Sequence, residues 1–147
     1  MVEMESKAQV ASGEAKKAPQ AWDKALLIAR EAENFKARDI VVLDVTGYSS
    51  FSDYFVICSG KSSRQVQGIA DNLQSALKDR KIRPLGVEGS SEGQWILMDY
   101  GDVIVHVFYE PVRQFYDLES LWSEAKKMRF GETDSNDDDS EEDDDDL

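Results

Sequence analysis

Three small groups of side chains in this sequence have the residue types that enzymes use for chemistry. His106 is the only histidine and Cys58 the only cysteine, so they are the one combination available for a thiol nucleophile with its base. Asp99 and Asp102 flank a short turn, and such a pair of carboxylates could bind a metal ion for phosphoryl transfer. Residues 60–62, Gly-Lys-Ser, match the end of a phosphate-binding loop.

Each group also has a simpler structural explanation, which the sequence favours. Cys58 lies between apolar neighbours in a predicted strand, where cysteine usually acts as a small buried hydrophobe. Aspartates beside a turn commonly belong to the turn itself. A phosphate-binding loop needs a glycine at position 55, which is Phe, whereas Ser62 and Gln65 fit a helix capping box. One histidine and one cysteine also make no metal-ligand cluster, so no cofactor or metal is expected.

Composition and charge divide the chain into three segments. The formal net charge is −13, and 11 acidic residues with no basic residue fall between Glu132 and Leu147. Removing those 11 from the 30 acids leaves 19 against 17 bases, so residues 1–131 carry a net charge of only −2. We therefore predict a disordered segment over residues 1–20, one folded domain over 21–130 and a disordered acidic tail over 131–147.

The same features restrict the location and the partners. A single cysteine excludes an internal disulfide and fits a reducing compartment. No apolar run approaches the roughly 20 residues of a membrane span, and residues 1–20 lack the features of a secretory or transit signal. The nearly neutral domain has no basic stripe for nucleic acid. We expect a cytoplasmic protein with no membrane contact and no direct sequence-specific nucleic-acid binding.

Hydrophobic periodicity predicts the eight elements that would position these side chains. Apolar spacings of three and four predict helices over 22–37, over 63–81 and from Pro111 onward. Runs rich in β-branched and aromatic residues predict strands over 39–46, 53–59, 82–87, 95–99 and 102–108. The order α-β-β-α-β-β-β-α predicts an α/β fold in which helices flank a mixed five-stranded sheet. The inward face of the last helix would carry Phe115, Leu118, Leu121, Trp122 and Ala125.

The last two strands form a predicted hairpin whose two faces differ in composition. With Tyr100 and Gly101 as the central turn residues, Asp99 would face Asp102. Because side chains alternate along a strand, one face is aliphatic and belongs under helices: Ile96, Met98, Val103, Val105 and Val107. The other face mixes large apolar side chains with carboxylates and the histidine: Trp95, Leu97, Asp99, Asp102, Ile104, His106 and Phe108.

This second face has the composition of a binding surface. An apolar centre with a charged rim is typical of protein interfaces, and two neighbouring carboxylates would attract cations of a partner. The alternative is that a helix covers this face as well and leaves only its edge in solvent.

Four blocks of the sequence resemble the ribosomal silencing factor family, also called Iojap-like. The blocks are residues 41–60, beginning VVLDVT and ending SDYFVICSG, RQV at 64–66, QWILMDYGDVIVHVF at 94–108, and RQFYDLESLW at 113–122. The resemblance covers about residues 22–125, and four blocks in the right order are far more specific than one short motif.

The resemblance implies a function without catalysis. It implies binding to the large ribosomal subunit through its fourteenth ribosomal protein, and a steric block to joining of the small subunit when nutrients are scarce. It also implies a role in ribosome biogenesis, homodimers of the free protein and a nucleotidyltransferase-like architecture. No acid-x-acid pair follows Ser62, so the sequence departs from the enzyme pattern and the resemblance implies the architecture without catalysis. The alternative is a nucleotidyltransferase-like enzyme that acts on nucleotides.

On this interpretation the hairpin docks on a basic ribosomal protein. The candidate contacts are the seven residues of the mixed face, with Tyr116 and Glu119 from the last block. His106 would hydrogen-bond at the centre or orient Trp95. A third possibility is a scaffold that acts through its acidic tail.

Overall fold

The sheet contains six strands, one more than the sequence predicts. The computed structural model describes residues 20–130, so the predictions of disorder over 1–20 and 131–147 lie, except for residue 20, outside the described residues. In chain order the elements are α1 (Ala21–Asn34), β1 (Arg38–Asp44), β2 (Tyr54–Gly60), α2 (Ser63–Asp79), β3 (Gly86–Glu88), β4 (Trp95–Asp99), β5 (Val103–Tyr109), α3 (Glu110–Tyr116), α4 (Leu118–Leu121) and β6 (Lys126–Phe130). The strands lie in the order β3-β4-β5-β2-β1-β6.

The sheet is mixed, as predicted. β2 and β5 are parallel neighbours, whereas the other four neighbouring pairs are antiparallel. The parallel pair requires a long connection, which is supplied by α2, β3 and β4. None of the helices within residues 20–130 has the length and apolar character that crossing a membrane requires.

The extra strand, β6, lies at the end of the segment predicted to be helical from Pro111 onward. α3 includes Pro111 in its first turn and ends at Tyr116, and its C-cap residue, Asp117, has a φ of 47° in the left-handed region. Lys126–Phe130 then pairs with β1. Periodicity could not show this pairing, because it depends on the open edge of a strand far earlier in the chain. Phe115 and Leu121, predicted to face inward, are exposed.

Two hydrophobic clusters lie on opposite faces of the sheet. On one face α1 and α2 pack over the aliphatic side of the hairpin, so the prediction for Ile96, Met98, Val103, Val105 and Val107 is confirmed. The other face is covered by a smaller set of side chains from the segment after β5: Val112, Leu118, Trp122 and Ala125. Since α3 and α4 are short, this second face is covered less completely than the first.

Candidate functional site

The hairpin turn differs from the predicted one. The cross-strand pairs are Trp95–Phe108, Ile96–Val107, Leu97–His106, Met98–Val105 and Asp99–Ile104. The Tyr100 N–H donates to the Val103 carbonyl oxygen at 2.9 Å, so Gly101 and Asp102 are the central turn residues. Gly101, the first central residue, has a φ of 88°, which glycine adopts without strain. In the predicted turn Tyr100 would occupy this position, and a tyrosine is strained at a positive φ. The register therefore shifts by two residues, and the strand residues keep their predicted faces.

Asp99 and Asp102 do not face each other, contrary to the prediction. The Asp99 carboxylate accepts a hydrogen bond from the Gly101 N–H at 2.8 Å, a contact within the turn. The Asp102 carboxylate instead accepts from Lys24 Nζ of α1 at 2.8 Å. The Asp102 side chain therefore lies toward the face of the sheet that α1 covers and is not on the mixed face of the hairpin. Within residues 20–130 no group of three or more metal-ligating side chains is present.

Cys58 and His106 lie on opposite faces of the sheet and form no catalytic pair. His106 pairs across β2 and β5 with Ile57, and the next residue, Cys58, points into the cluster under α1 and α2. Burial raises the pKa of the Cys58 thiol to about 12, against an opposing effect of the Arg113 charge. A thiol in this state is not a nucleophile at neutral pH.

His106 holds the Trp95 indole in place. Its Nδ1 accepts a hydrogen bond from Trp95 Nε1 at 3.1 Å, and its ring lies 5.0 Å from the Phe55 ring centroid. Because an indole N–H only donates, Nε2 of the neutral imidazole carries the proton. Nε2 has no hydrogen-bond partner among the described residues. The ring is 4% exposed, and burial lowers the pKa of His106 to about 4.

We expect acidification to destabilise the domain through His106. Between pH 6.5 and about 4 the unfolded imidazole is protonated while the folded one stays neutral, so the unfolded state binds more protons. The free energy of unfolding should fall across this window by up to about 3 kcal/mol. Because the chain has one histidine, its imidazole proton resonance in an NMR pH titration is unambiguous.

Urea unfolding of a His106→Gln variant over the same pH range is the control. The variant should lack this part of the pH dependence, even if its stability at pH 7 differs. A titration midpoint near pH 6.5 in the folded protein would contradict the buried, neutral state.

An aromatic row connects the covered part of this face to the surface of α3. Ring centroids are 4.8 Å apart between Phe108 and Trp95, 5.1 Å between Trp95 and Tyr116, and 5.1 Å between Tyr116 and Phe115. Phe108 is fully buried, whereas Tyr116 is 55% and Phe115 81% exposed. Neighbouring large aromatic side chains that remain in solvent commonly mark a binding surface.

These rings and their neighbours form one surface, which we call the docking surface. Its members are Trp95, Leu97, Asp99, Ile104, Phe115 and Tyr116. Of the predicted contacts, Phe108 and His106 lie buried beneath it. Phe115 was predicted to face inward and was not among the predicted contacts. The signal for its exposure is that Phe115 and Tyr116 are successive, and a helix cannot bury two successive aromatic residues on one face.

Glu119 is not part of the docking surface but half of a partly buried ion pair with Arg113. The Arg113 Nε and Nη2 donate to the two Glu119 carboxylate oxygens at 3.0 and 3.1 Å. Arg113 Nη1 donates to the Asp39 carbonyl oxygen and to Ser59 Oγ, both at 2.8 Å. This arrangement, which we call the Arg113 clamp, joins α3 to α4, β1 and β2.

The clamp keeps Glu119 ionised. Burial acts to raise the pKa of this carboxyl, but the hydrogen bonds and charge of Arg113, with the charges of Lys127 and Arg129, lower it overall. The sequence alone indicates no role for Arg113, because its partner stands six residues away and no helical spacing connects the two.

Residues 60–62 form a helix cap. The Gln65 N–H donates to Ser62 Oγ at 3.0 Å, and the Gln65 side-chain oxygen accepts from the Lys61 N–H. The predicted interaction of Ser62 with Gln65 is therefore confirmed, with the return bond made one residue before the cap.

Comparison with known proteins gives consistent matches. Residues 16–146 match a family model described as "Ribosomal silencing factor during starvation". The ribosomal silencing factor RsfS of Bacillus subtilis is 41% identical over 99 residues, covering 67% of this chain and 84% of that protein. The mouse protein named mitochondrial assembly of ribosomal large subunit protein 1 is 34% identical over 90 residues, 59% of this chain and 40% of its own length. A crystal structure of a Chromobacterium violaceum protein superimposes with a TM-score of 0.69 at 35% identity, covering 71% of this chain and 88% of that one.

Proposed function

Because the chain belongs to the ribosomal silencing factor family, we propose that it represses translation by binding the large ribosomal subunit and keeping the small subunit from joining. The proposed attachment point is the fourteenth ribosomal protein of the large subunit, as the resemblance of the four sequence blocks to the family implies. The proposed setting is nutrient limitation in the cytoplasm. The name of the mouse relative supports an additional role in assembly of the large subunit.

The docking surface is the observation that carries this proposal. A steric block needs an anchored surface that faces a partner, and it needs no reactive group. Phe115 and Tyr116 present exposed rings, while Trp95 beneath them is held by His106 and so loses little freedom on binding. Asp99 at the rim adds a charge that suits a basic ribosomal protein.

We propose that the protein acts without catalysis and has the nucleotidyltransferase-like architecture without its chemistry. The relatives are named as silencing factors, and the thiol and the imidazole lie on opposite faces of the sheet. An enzyme of the alternative class would show saturable binding of a nucleoside triphosphate with Mg²⁺, followed by product formation. We expect neither, and we propose that the free protein is a homodimer.

Subunit joining is the direct test of the proposal. Large subunits are incubated with excess protein, small subunits are added, and the mixture is separated on a sucrose gradient. At ten times the dissociation constant about 90% of the large subunits carry the protein, so the peak of joined subunits should fall to about a tenth.

Immunodetection across the gradient separates binding from silencing. The protein should migrate with free large subunits and be absent from joined ones. Subunits that join normally while the protein remains bound would contradict the steric block, and a protein that stays at the top of the gradient would contradict binding itself.

A further inference from the structure

Within residues 20–130, β6 forms one edge of the sheet, and this edge is basic. Three of its five residues are cations and none is acidic: Lys126, Lys127 and Arg129. All three are exposed, and β1 is the only neighbouring strand of β6 within the described residues. An unpaired edge attracts other strands unless charge or a covering segment protects it.

The cations of β6 point to both faces of the sheet. Lys126 pairs in register with Asp44 and lines a groove of about 470 Å³ beside the rings of Trp22 and Tyr54. Lys127 and Arg129 lie on the other face, where they help to lower the pKa of the Glu119 carboxyl. The edge therefore presents positive charge on both sides, on a chain whose formal net charge is −13.

The segment that directly follows β6 has the complementary charge. Glu132 stands two residues after Phe130, and residues 132–147 contain 11 acids and no base. We propose that residues 132–147 fold back along β6 and cover its open edge by pairing their carboxylates with Lys126, Lys127 and Arg129. The contact is an intramolecular interaction surface that keeps other polyanions and other strands from this edge.

The chain length allows this contact. Returning from Phe130 to Lys126 takes about 13 Å along a strand, whereas sixteen residues can span up to about 53 Å when fully extended. Such a tether holds the acidic residues near β6 at an effective concentration of about 1 mM or more. An external polyanion at micromolar concentration competes poorly with it.

The proposed contact leaves the docking surface open. β6 and β4 are separated by four strand spacings, or about 19 Å, in the sheet. The inference therefore does not depend on the proposed function, and failure of one would not affect the other.

The test uses the full-length protein with a spin label at Ser140→Cys, an uncharged position in the acidic segment. Cys58 is fully buried and its pKa is raised, so the label reacts with the introduced cysteine. Paramagnetic broadening of backbone amide resonances then reports which residues the segment contacts. We expect broadening of Lys126–Phe130 at low salt, weakened severalfold in about 1 M salt, where the screening length is about 3 Å.

A charge variant of β6 and a matched control separate docking from mere proximity. The triple variant Lys126→Gln, Lys127→Gln, Arg129→Gln should lose most of the broadening. The triple variant Arg64→Gln, Lys78→Gln, Arg83→Gln removes the same charge from exposed positions on and after α2 and should retain it.

Three outcomes would overturn the proposal. The first is equal broadening in both triple variants, and the second is broadening centred on the docking surface. The third is that the spin label does not broaden the β6 resonances, while adding single-stranded RNA to the native protein shifts them. That result would assign the edge to nucleic acid.

Discussion

Large ribosomal subunits should no longer co-sediment with the protein once Phe115 and Tyr116 are both replaced by alanine. Truncating an aromatic hot-spot residue at the centre of an interface costs about 2 kcal/mol, roughly a 30-fold change in the dissociation constant. The two together should weaken binding by about 1,000-fold. Because Phe115 is 81% and Tyr116 55% exposed, their removal should cost the domain little stability.

Another exposed Phe and Tyr pair supplies the control. Phe51 and Tyr48 are 69% and 57% exposed on the loop between β1 and β2, outside the docking surface. The variant Tyr48→Ala, Phe51→Ala should still pellet with large subunits. If the Phe115 and Tyr116 variant pelleted like the native protein, the docking surface would be wrongly placed. Equal loss in both variants would mean that exposed aromatic residues act non-specifically.

Replacing Arg113 with methionine is expected to cause the largest loss of stability, about 3–5 kcal/mol. Methionine retains the length of the aliphatic stem but removes four hydrogen bonds at 2.8–3.1 Å. Glu119 would then be a partly buried carboxylate without its cation. The free energy of unfolding of a small domain is about 5–15 kcal/mol in total. The urea midpoint of the variant at pH 7 should therefore be much lower than that of the native protein.

Two companion variants identify the cause of that loss. Adding Glu119→Gln to Arg113→Met removes the unpaired charge and should recover part of the stability. Lys127→Met removes an exposed cation that acts on the same carboxyl and should cost no more than about 1 kcal/mol. A cost below about 1 kcal/mol for Arg113→Met would show that the clamp contributes little.

The Arg113 clamp also explains why the docking surface has its present form. α3 carries Phe115 and Tyr116, and the clamp fixes α3 and α4 against β1 and β2. The short helices therefore cover the centre of the face and leave its β4 side open. The Arg113→Met variant should consequently bind large subunits more weakly than its remaining folded fraction accounts for.

The two hairpin faces were predictable because side-chain alternation is a local property of strands. The predicted turn was wrong by one position, yet a register shift of two residues left Ile96 in the core and Leu97 on the mixed face. The Ser62 cap was predictable for the same reason, since all of its partners lie within four residues. Family membership could likewise be inferred from residue order within the four blocks.

Tertiary contacts determined the remainder. Asp102 binds Lys24, β6 takes the place of a predicted helix because β1 has an open edge, and Arg113 pairs with Glu119 across a break between two helices. Each of these joins residues whose separation matches no helical or strand period. Local propensity and periodicity report only on near neighbours in the chain. The exposure of Phe115 and Tyr116, and with it the shape of the docking surface, follows from these long-range contacts.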